Sequence, residues 1–169
     1  KEIMKRLGPN GKLYAFDQDE DAKRQADNIQ SRSFTFCQAN FRYMKQYLKL
    51  NGVTQVDGIL ADLGVSSHQF DEAERGFSTR YDAALDMRMD QRQTTTAADI
   101  LKKFTELQLH KMLEQYGEVT NAKTLAKTIV QQRALMPIKT IQQFKQAVQS
   151  AVKGNPQKYF AQVFQALRI

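Results

Sequence analysis

The sequence predicts an α/β protein in which a parallel sheet is followed by a helical region. Two observations support this prediction. Short apolar runs alternate with helical stretches up to Leu63, and the residues from Thr96 onward show only helical periodicity. Strands that alternate with helices are typical of parallel sheets with crossover helices. With 169 residues and 41% hydrophobic content, the chain has enough apolar material for one domain, or for one core with an appendage.

The apolar run Leu13–Phe16 predicts the first strand, because a turn rich in glycine and proline precedes it and acidic residues follow it. Among these acidic residues, Asp19 or Asp21 is a suitable N-cap for a helix that continues to about Ile29. The acidic residue that directly follows the strand is Asp17.

Three more elements are predicted before the pattern changes. Phe34–Gln38 reads as a second strand, Tyr43–Leu50 as a helix, and Gly58–Leu63 as a third buried strand that is apolar except for Asp62. Cys37 is the single cysteine of the sequence, which excludes an internal disulfide and a thiolate metal cage. We expect Cys37 to be a small buried hydrophobic residue.

The pattern changes after Ser66. The stretch from Asp71 to Asp90 is dense in charge with little periodicity, and it predicts a long functional loop. Breaks at glycine and proline divide the remainder into five helices. These predicted helices are Ala97–Lys103, Glu106–Gln115, Asn121–Gln132, Ile141–Val152 and Tyr159–Ile169.

The net charge of +7 is unevenly distributed along the chain. Residues 1–90 carry 13 Lys and Arg against 14 Asp and Glu, whereas residues 91–169 carry 12 against 4. Such a basic excess fits a phosphate-bearing partner such as a nucleic acid. Solvated helix faces would explain the same charge equally well.

The sequence contains no apolar run that approaches the roughly 18 residues needed to cross a bilayer. The first residues also lack the charged, apolar and small-residue order of a signal peptide. We therefore expect a cytoplasmic protein that has no membrane partner.

Two carboxylates follow predicted strands, where ligands bind in open parallel sheets. Asp17 is placed to accept hydrogen bonds from the two hydroxyls of a nucleotide ribose, although a nicotinamide cofactor would use the same position and a turn or helix cap is the common role. Asp62 is placed to accept a hydrogen bond from an amine of a cofactor or a base, and a structural cap of the turn is its alternative.

Other candidate residues carry weaker signals. His68 and His110 have no second ligand at metal spacing, so we expect no metal site and assign neither residue a catalytic role. Phe41 follows the second strand, where an aromatic ring is placed to lie against an adenine.

A longer pattern is more specific. The stretch from Asp57 through Asp62-Leu-Gly-Val-Ser-Ser to Arg75-Gly-Phe-Ser78, followed by Leu85-Asp-Met-Arg-Met-Asp90, closely resembles the signature of the bacterial ribosomal RNA cytosine-N4 methyltransferases of the MraW type. Four shorter segments in the order of that family support the resemblance. They are Ala15–Asp19, Ala39–Phe41, Tyr116–Glu118 and Phe164–Ile169.

The resemblance implies a partial class I (Rossmann-like) sheet of an S-adenosylmethionine-dependent methyltransferase, with an inserted helical domain. It places the partial core at residues 1–70, a connecting loop at 71–95, the inserted helical domain at 96–160 and the start of a helix that returns to the core at 161–169. The family's N-terminal Gly-rich loop and C-terminal strands have no counterpart in the sequence, so we expect an internal fragment that is inactive when isolated.

The resemblance also implies roles for individual residues. Asp17 corresponds to the ribose contact of S-adenosylmethionine and Phe41 to the adenine contact. Asp62 and Gln69 lie around its methionine portion, and Asp62 is the candidate catalytic residue. The candidate residues for admitting the target cytidine are Arg75, Gly76, Phe77, Asp86, Arg88 and Asp90, of which Arg75, Phe77 and Arg88 are the expected RNA contacts. Salt-bridged loop scaffolding is an equal alternative for Asp86, Arg88 and Asp90.

The implied partner is 16S ribosomal RNA within the small ribosomal subunit, with a homodimer left open. The sequence departs from the family pattern at His68, where proline is usual, and at Val163, where threonine is usual. Two alternatives are a DNA amino-methyltransferase and a non-catalytic RNA-binding module. The first typically carries an Asp/Asn-Pro-Pro-aromatic motif where this sequence has Asp62-Leu-Gly-Val.

Overall fold

The computed structural model describes residues 2–168 and divides them into two compact units, with the boundary between Asp62 and Leu63. The first unit contains a small parallel sheet, and the second is helical. The predicted α/β class is therefore confirmed. In the described range, no helix is both long enough and apolar enough to cross a membrane.

The first unit consists of two strands that alternate with short helices. Its strands pair in parallel, with Leu13 opposite Phe34 and Asp17 opposite Gln38, so both predicted strands are confirmed. The Asp19 side chain caps the second helix by accepting a hydrogen bond from the backbone N–H of Asp21 at 3.0 Å. The elements are α1 Glu2–Arg6, β1 Leu13–Asp17, α2 Glu20–Asp27, β2 Phe34–Gln38 and α3 Met44–Leu50.

The predicted third strand, Gly58–Leu63, is wrong for this chain. The segment has no regular structure, and Ile59, Leu60 and Leu63 expose 66%, 82% and 66% of their surface. An apolar strand needs a neighbouring strand for its backbone groups and a cover for each face. Among the described residues, the sheet consists of β1 and β2, and this segment pairs with neither strand.

The second unit is built from helices around one apolar core. Four of them begin with a capping box. In this motif the side chain of a Ser or Thr accepts a hydrogen bond from the backbone N–H of a Gln or Asp three residues later, whose side chain accepts one from the Ser or Thr backbone N–H in return. The longest three, α6, α7 and α9, supply half of the buried core residues. The helices are α4 Ser67–Asp71, α5 Ala97–Lys103, α6 Glu106–Gly117, α7 Ala122–Leu135, α8 Ile141–Ala147 and α9 Pro156–Leu167.

All five predicted helices of this region are present; Ala97–Lys103 has the predicted bounds, and the other four have shifted ends. The predicted helix Ile141–Val152 is α8 followed by a 3₁₀ turn over Gln149–Ala151. The predicted last helix starts earlier, at Pro156, because Asn155 caps it and proline suits its first turn. Its predicted last residue, Ile169, lies outside the described residues.

The charged stretch between Asp71 and Asp90 is irregular, as predicted, but it is also an integral part of the helical unit. Leu85 and Met87 are fully buried in the core of that unit. Backbone N–H groups of Leu85 and Ile141 bond to the carbonyls of Lys139 and Ala83, which ties the loop to the start of α8. The four-part division at residues 70, 95 and 160 stays a prediction.

Candidate functional site

The carboxyl ends of β1 and β2 bring the first candidate residues together. Asp17 ends β1 and is exposed, and it is the register partner of Gln38 at the end of β2. The loops that follow these two strands are joined by a hydrogen bond from the Asn40 side-chain amide to the Gln18 side-chain oxygen, at 3.1 Å. The ends of β1 and β2, which are distant in sequence, thus form one edge of the sheet.

Local hydrogen bonds fix the shape of both loops at this edge. One oxygen of Asp17 accepts from the backbone N–H of Asp19 at 2.9 Å. The Asn40 side-chain oxygen accepts from the backbone N–H of Arg42 at 3.0 Å, which caps a 3₁₀ turn over 41–43. The Phe41 ring begins this turn and remains 57% exposed.

This edge combines a carboxylate with an exposed aromatic ring on neighbouring loops. A carboxylate accepts hydrogen bonds from two vicinal hydroxyls, and a flat ring offers a surface for a base. Because parallel sheets bind ligands at the carboxyl ends of their strands, Asp17 and Phe41 suit the adenosine half of a nucleoside cofactor.

Asp62 is exposed at the end of the irregular segment Gly58–Leu63. Since that segment is not a strand, Asp62 does not follow a strand as the sequence predicted, and Asp17 and Asp62 do not end adjacent strands in this chain. The catalytic role of Asp62 stays a prediction.

Gln69 is 95% buried and belongs to the capping box of α4. Its side-chain oxygen accepts from the backbone N–H of Ser66 at 3.0 Å, and the Ser66 hydroxyl accepts from the N–H of Gln69 at 3.2 Å. The side chain therefore fixes the turn that begins α4. Its contact with a cofactor stays a prediction.

Arg75 is buried and holds the two ends of the charged loop together. Its guanidinium donates to the carbonyl of Arg88 at 3.1 Å, and its carbonyl accepts from the N–H of Met87 at 3.0 Å. With the Gln91 amide in its hydrogen-bonding orientation, two further donors reach the Gln91 oxygen at 3.0 Å. The guanidinium carbon also lies 5.6 Å from the centre of the buried Phe77 ring.

Gly76 allows this close loop packing. Its φ of +72° favours glycine, and an added Cβ would lie 2.5 Å from the carbonyl oxygen of Ala84. A side chain at this position would push the two parts of the loop apart.

Asp86 and Arg88 form a two-pronged ion pair within the loop. Both guanidinium–carboxylate distances are 2.7 Å, and the remaining Arg88 nitrogen donates to the carbonyls of Gln91 and Gln93. Burial raises the pKa of Asp86, but hydrogen bonds from Arg88 and the charges of Arg88 and Arg75 outweigh it and hold this pKa below its ordinary value. The loop scaffolding foreseen for these residues is thus present, while RNA contacts by Arg75, Phe77 and Arg88 stay predictions.

The same arrangement repeats four residues later, which the sequence analysis did not identify. Arg92 forms two hydrogen bonds with Asp90, at 2.8 and 2.9 Å, and the backbone N–H of Arg92 also bonds to that carboxylate. The signal is an Asp-x-Arg repeat in Asp86-Met-Arg-Met-Asp-Gln-Arg92. Each Asp accepts from the backbone and side chain of the Arg two residues later.

Each of the two histidines lies near a carboxylate of its own helix or of the residue that ends it. The ring nitrogens of His68 and His110 lie 4.0 and 3.8 Å from the carboxylates of Glu72 and Glu114, one helical turn away. Among residues 2–168, no cluster of three or more His, Cys, Asp or Glu side chains is arranged to hold a metal ion. Cys37 is buried as expected, and burial raises the pKa of its thiol.

Comparison with known proteins identifies relatives over the entire length of the chain. The model of the MraW methylase family matches residues 1–169. The chain is 55% identical to ribosomal RNA small subunit methyltransferase H of Cytophaga hutchinsonii, and the match covers all of the chain and 57% of that protein.

Proteins of the same name from Christiangramia forsetii and Flavobacterium johnsoniae are each 50% identical, again over the whole chain and over 56% of their own length. The chain therefore spans little more than half the length of these curated relatives.

Proposed function

Because the chain belongs to the MraW methylase family, we propose that it is the central part of an enzyme that methylates the exocyclic N4 amine of a cytidine in 16S ribosomal RNA, with S-adenosylmethionine as the methyl donor. The observation that carries the proposal is the family match over all 169 residues. The names of the relatives, ribosomal RNA small subunit methyltransferase H, support the RNA substrate.

The residues present suit the adenosine half of this cofactor. The exposed Asp17 carboxylate would accept hydrogen bonds from the ribose hydroxyls, and the exposed Phe41 ring would cover the adenine. The loops that carry them are held by the Asn40–Gln18 hydrogen bond. When bound, S-adenosylmethionine supplies an electrophilic methyl group.

Asp62 is our candidate for the chemistry at the base. The lone pair of the cytosine amine is delocalised into the ring, so the amine is a poor nucleophile without a hydrogen-bond acceptor. The Asp62 carboxylate would accept a hydrogen bond from this N–H, which would localise the lone pair on the nitrogen and make the amine more nucleophilic. It would then take up the proton released by methylation. Gln69 would support the methionine portion of the cofactor.

Residues 75–92 would form a fixed loop beside the substrate. The ion pairs Asp86–Arg88 and Asp90–Arg92 hold its backbone, and the buried Arg75 joins its ends. A loop already ordered in the free protein lowers the entropic cost of positioning RNA.

The test is a transfer assay with the full-length protein and labelled S-adenosylmethionine on under-methylated small subunits, followed by mass spectrometry of the nucleosides. We expect N4-methylcytidine from wild type and none from Asp62→Ala. Asp57→Ala removes a nearby exposed carboxylate and should leave transfer intact. Methyl groups on another atom, or an active Asp62→Ala, would contradict the assignment.

The isolated 169-residue chain should not methylate RNA. The segment that carries Asp62 is not part of a sheet in this chain, so no neighbouring strand holds its backbone at the sheet edge. Methyl transfer depends strongly on the alignment of donor and acceptor. Transfer by the isolated chain at the rate of the full-length protein would contradict this expectation.

A non-catalytic RNA-binding module remains the second candidate, favoured by the 12 Lys and Arg against 4 Asp and Glu in residues 91–169. It predicts RNA binding by the full-length protein without any transfer, so the same assay separates the two. A DNA amino-methyltransferase would instead label DNA.

A further inference from the structure

A groove within the helical unit lies between the segment Phe77–Arg80 and one face of α9. Its volume is about 290 Å³, near the lower end for ligand pockets, so it suits a single ring with a substituent better than a large cofactor. The face of α9 is formed by Gln157, Ala161, Phe164 and Gln165, which lie three or four positions apart, and Arg168 follows directly after the helix.

The charge in this groove is positive. Arg80 and Arg168 line it, and no Asp or Glu does. Arg168 is partly buried, and among residues 2–168 no carboxylate lies within 4 Å of its guanidinium. Burial lowers the pKa of Arg168, but a guanidinium stays protonated at neutral pH, so the side chain keeps its charge, and no carboxylate of the described residues neutralises it. A phosphate would supply a counter-ion.

Arg80 is partly engaged and thereby oriented. Its guanidinium bonds to Asp71 at 3.1 Å and to the Ser78 hydroxyl at 3.2 Å. These bonds use two of its five N–H groups. Ser78 is itself 96% buried, and its hydroxyl accepts from both the backbone and the side chain of Arg80, which leaves its own O–H as a donor.

The remaining walls suit a nucleobase. Three aromatic residues line the groove: Phe70, which is 38% exposed, and the buried Phe77 and Phe164. The side-chain amides of Gln157 and Gln165 offer both donors and acceptors, which is what the edge of a base needs. Aromatic rings next to arginines are the usual combination for binding single-stranded nucleic acid.

We propose that this groove binds one nucleotide of the RNA substrate, with its phosphate on Arg168 and Arg80 and its base against Phe70. The inference rests on the proposed RNA function and adds to it a contact for a nucleotide of the RNA strand. It gives α9 a binding role in addition to its place in the core.

The test measures binding of a fluorescein-labelled single-stranded hexaribonucleotide to the full-length protein by fluorescence anisotropy at several salt concentrations. Arg168→Gln should weaken binding about five- to tenfold and reduce the slope of log affinity against log salt by about 0.7, the value for one phosphate contact on a single strand. Arg32→Gln, the same change at an exposed arginine of the first unit, should alter neither quantity. Arg168→Lys keeps the charge and should keep the slope.

Phe70→Leu keeps an apolar side chain but removes the aromatic face. It should weaken binding about tenfold, in the range measured for loss of base stacking, and leave the salt slope unchanged. Thermal unfolding of each variant checks that the fold is intact. If folded Arg168→Gln and Phe70→Leu both bind like wild type, the proposal is overturned.

Competition separates a nucleotide of RNA from a free nucleotide. Unlabelled hexaribonucleotide should displace the probe at a far lower concentration than cytidine monophosphate, because its additional phosphates make further contacts with the protein. Equal competition would overturn the assignment to RNA. Methyl transfer by wild type is measured separately, so absence of transfer refutes the proposed function, whereas unchanged binding by the variants refutes only the groove.

Discussion

Tyr159 donates a hydrogen bond from its phenol to the side-chain oxygen of Asn121 at 3.0 Å, and both residues are buried. The amide nitrogen of Asn121 donates in turn to the carbonyl of Ala151 at 2.7 Å. This network joins α9, the start of α7 and the 3₁₀ turn after α8. When every buried polar atom has a hydrogen-bond partner, such a network can fix the packing arrangement of helices without a large desolvation cost.

Tyr159→Phe should lower the free energy of unfolding by about 1–2 kcal/mol, because it leaves the buried oxygen of Asn121 without this donor. Urea denaturation of the variant and wild type measures the difference. Tyr116→Phe makes the same change at a tyrosine that is 63% exposed and should be neutral. If both variants lost the same free energy of unfolding, the hydrogen bond from Tyr159 to Asn121 would make no contribution to stability.

The Asp86–Arg88 pair should make stability depend on acid. Since the pKa of Asp86 is lowered in the folded chain, the contribution of this carboxylate to stability is complete above the unfolded pKa of about 3.9 and is lost as pH falls through the folded pKa. Asp86→Asn should therefore cost about 2 kcal/mol at pH 7, and the difference from wild type should shrink below pH 4.

Urea titrations at pH 7, 5 and 3 measure this pH dependence. Glu74→Gln, which removes an exposed carboxylate of the preceding turn, is the control and should show no such trend. A stability difference for Asp86→Asn that is constant across this range would contradict the assignment.

Gly117 ends α6 where it approaches α9. A Cβ on it would lie 2.7 Å from the carbonyl oxygen of Gln162 and 2.9 Å from the Cβ of Ala166. Gly117→Ala should therefore force α9 away and destabilise the chain by about 1–3 kcal/mol. Gly58→Ala, where no atom lies within 4 Å, should be tolerated in the same thermal-unfolding experiment. An unchanged midpoint for Gly117→Ala would show that α9 is free to adjust.

Asp17→Ala in the full-length protein should weaken S-adenosylmethionine binding by at least tenfold, because two ribose hydroxyls lose a charged acceptor. Isothermal titration calorimetry measures the affinity. Asp27→Ala removes an exposed carboxylate from the end of α2, whose pair with Lys23 is worth little, and should bind normally. Wild-type affinity for Asp17→Ala would exclude the ribose contact.

The elements predicted correctly carry their signals in adjacent residues. Leu13–Asp17 and Phe34–Gln38 are apolar runs bounded by turns, and Ala97–Lys103 has an N-terminal Thr that caps it and a helical apolar face. Local signals of this kind need no knowledge of the rest of the fold.

The failures depend on relationships between distant residues. Gly58–Leu63 has the composition of a strand, but a strand also requires a partner, which composition does not report. Of the candidate site, Asp17 lies at the end of β1 and Phe41 in the turn after β2, where the sequence predicts them, and their contacts with a cofactor stay predictions. The Asn40–Gln18 link could not be foreseen, because it depends on the pairing of β1 with β2.

The exposed apolar segment Gly58–Leu63 has a consequence for the behaviour of the chain in solution. An unpaired stretch with strand-like composition is a template for intermolecular β-pairing, which leads to aggregation. Asp57 directly precedes the segment and Asp62 lies next to its end, and both act as gatekeepers, because stacking of identical chains would bring like charges together. The carboxylate of Asp62, needed for chemistry in the proposed enzyme, thus also protects the chain from self-association.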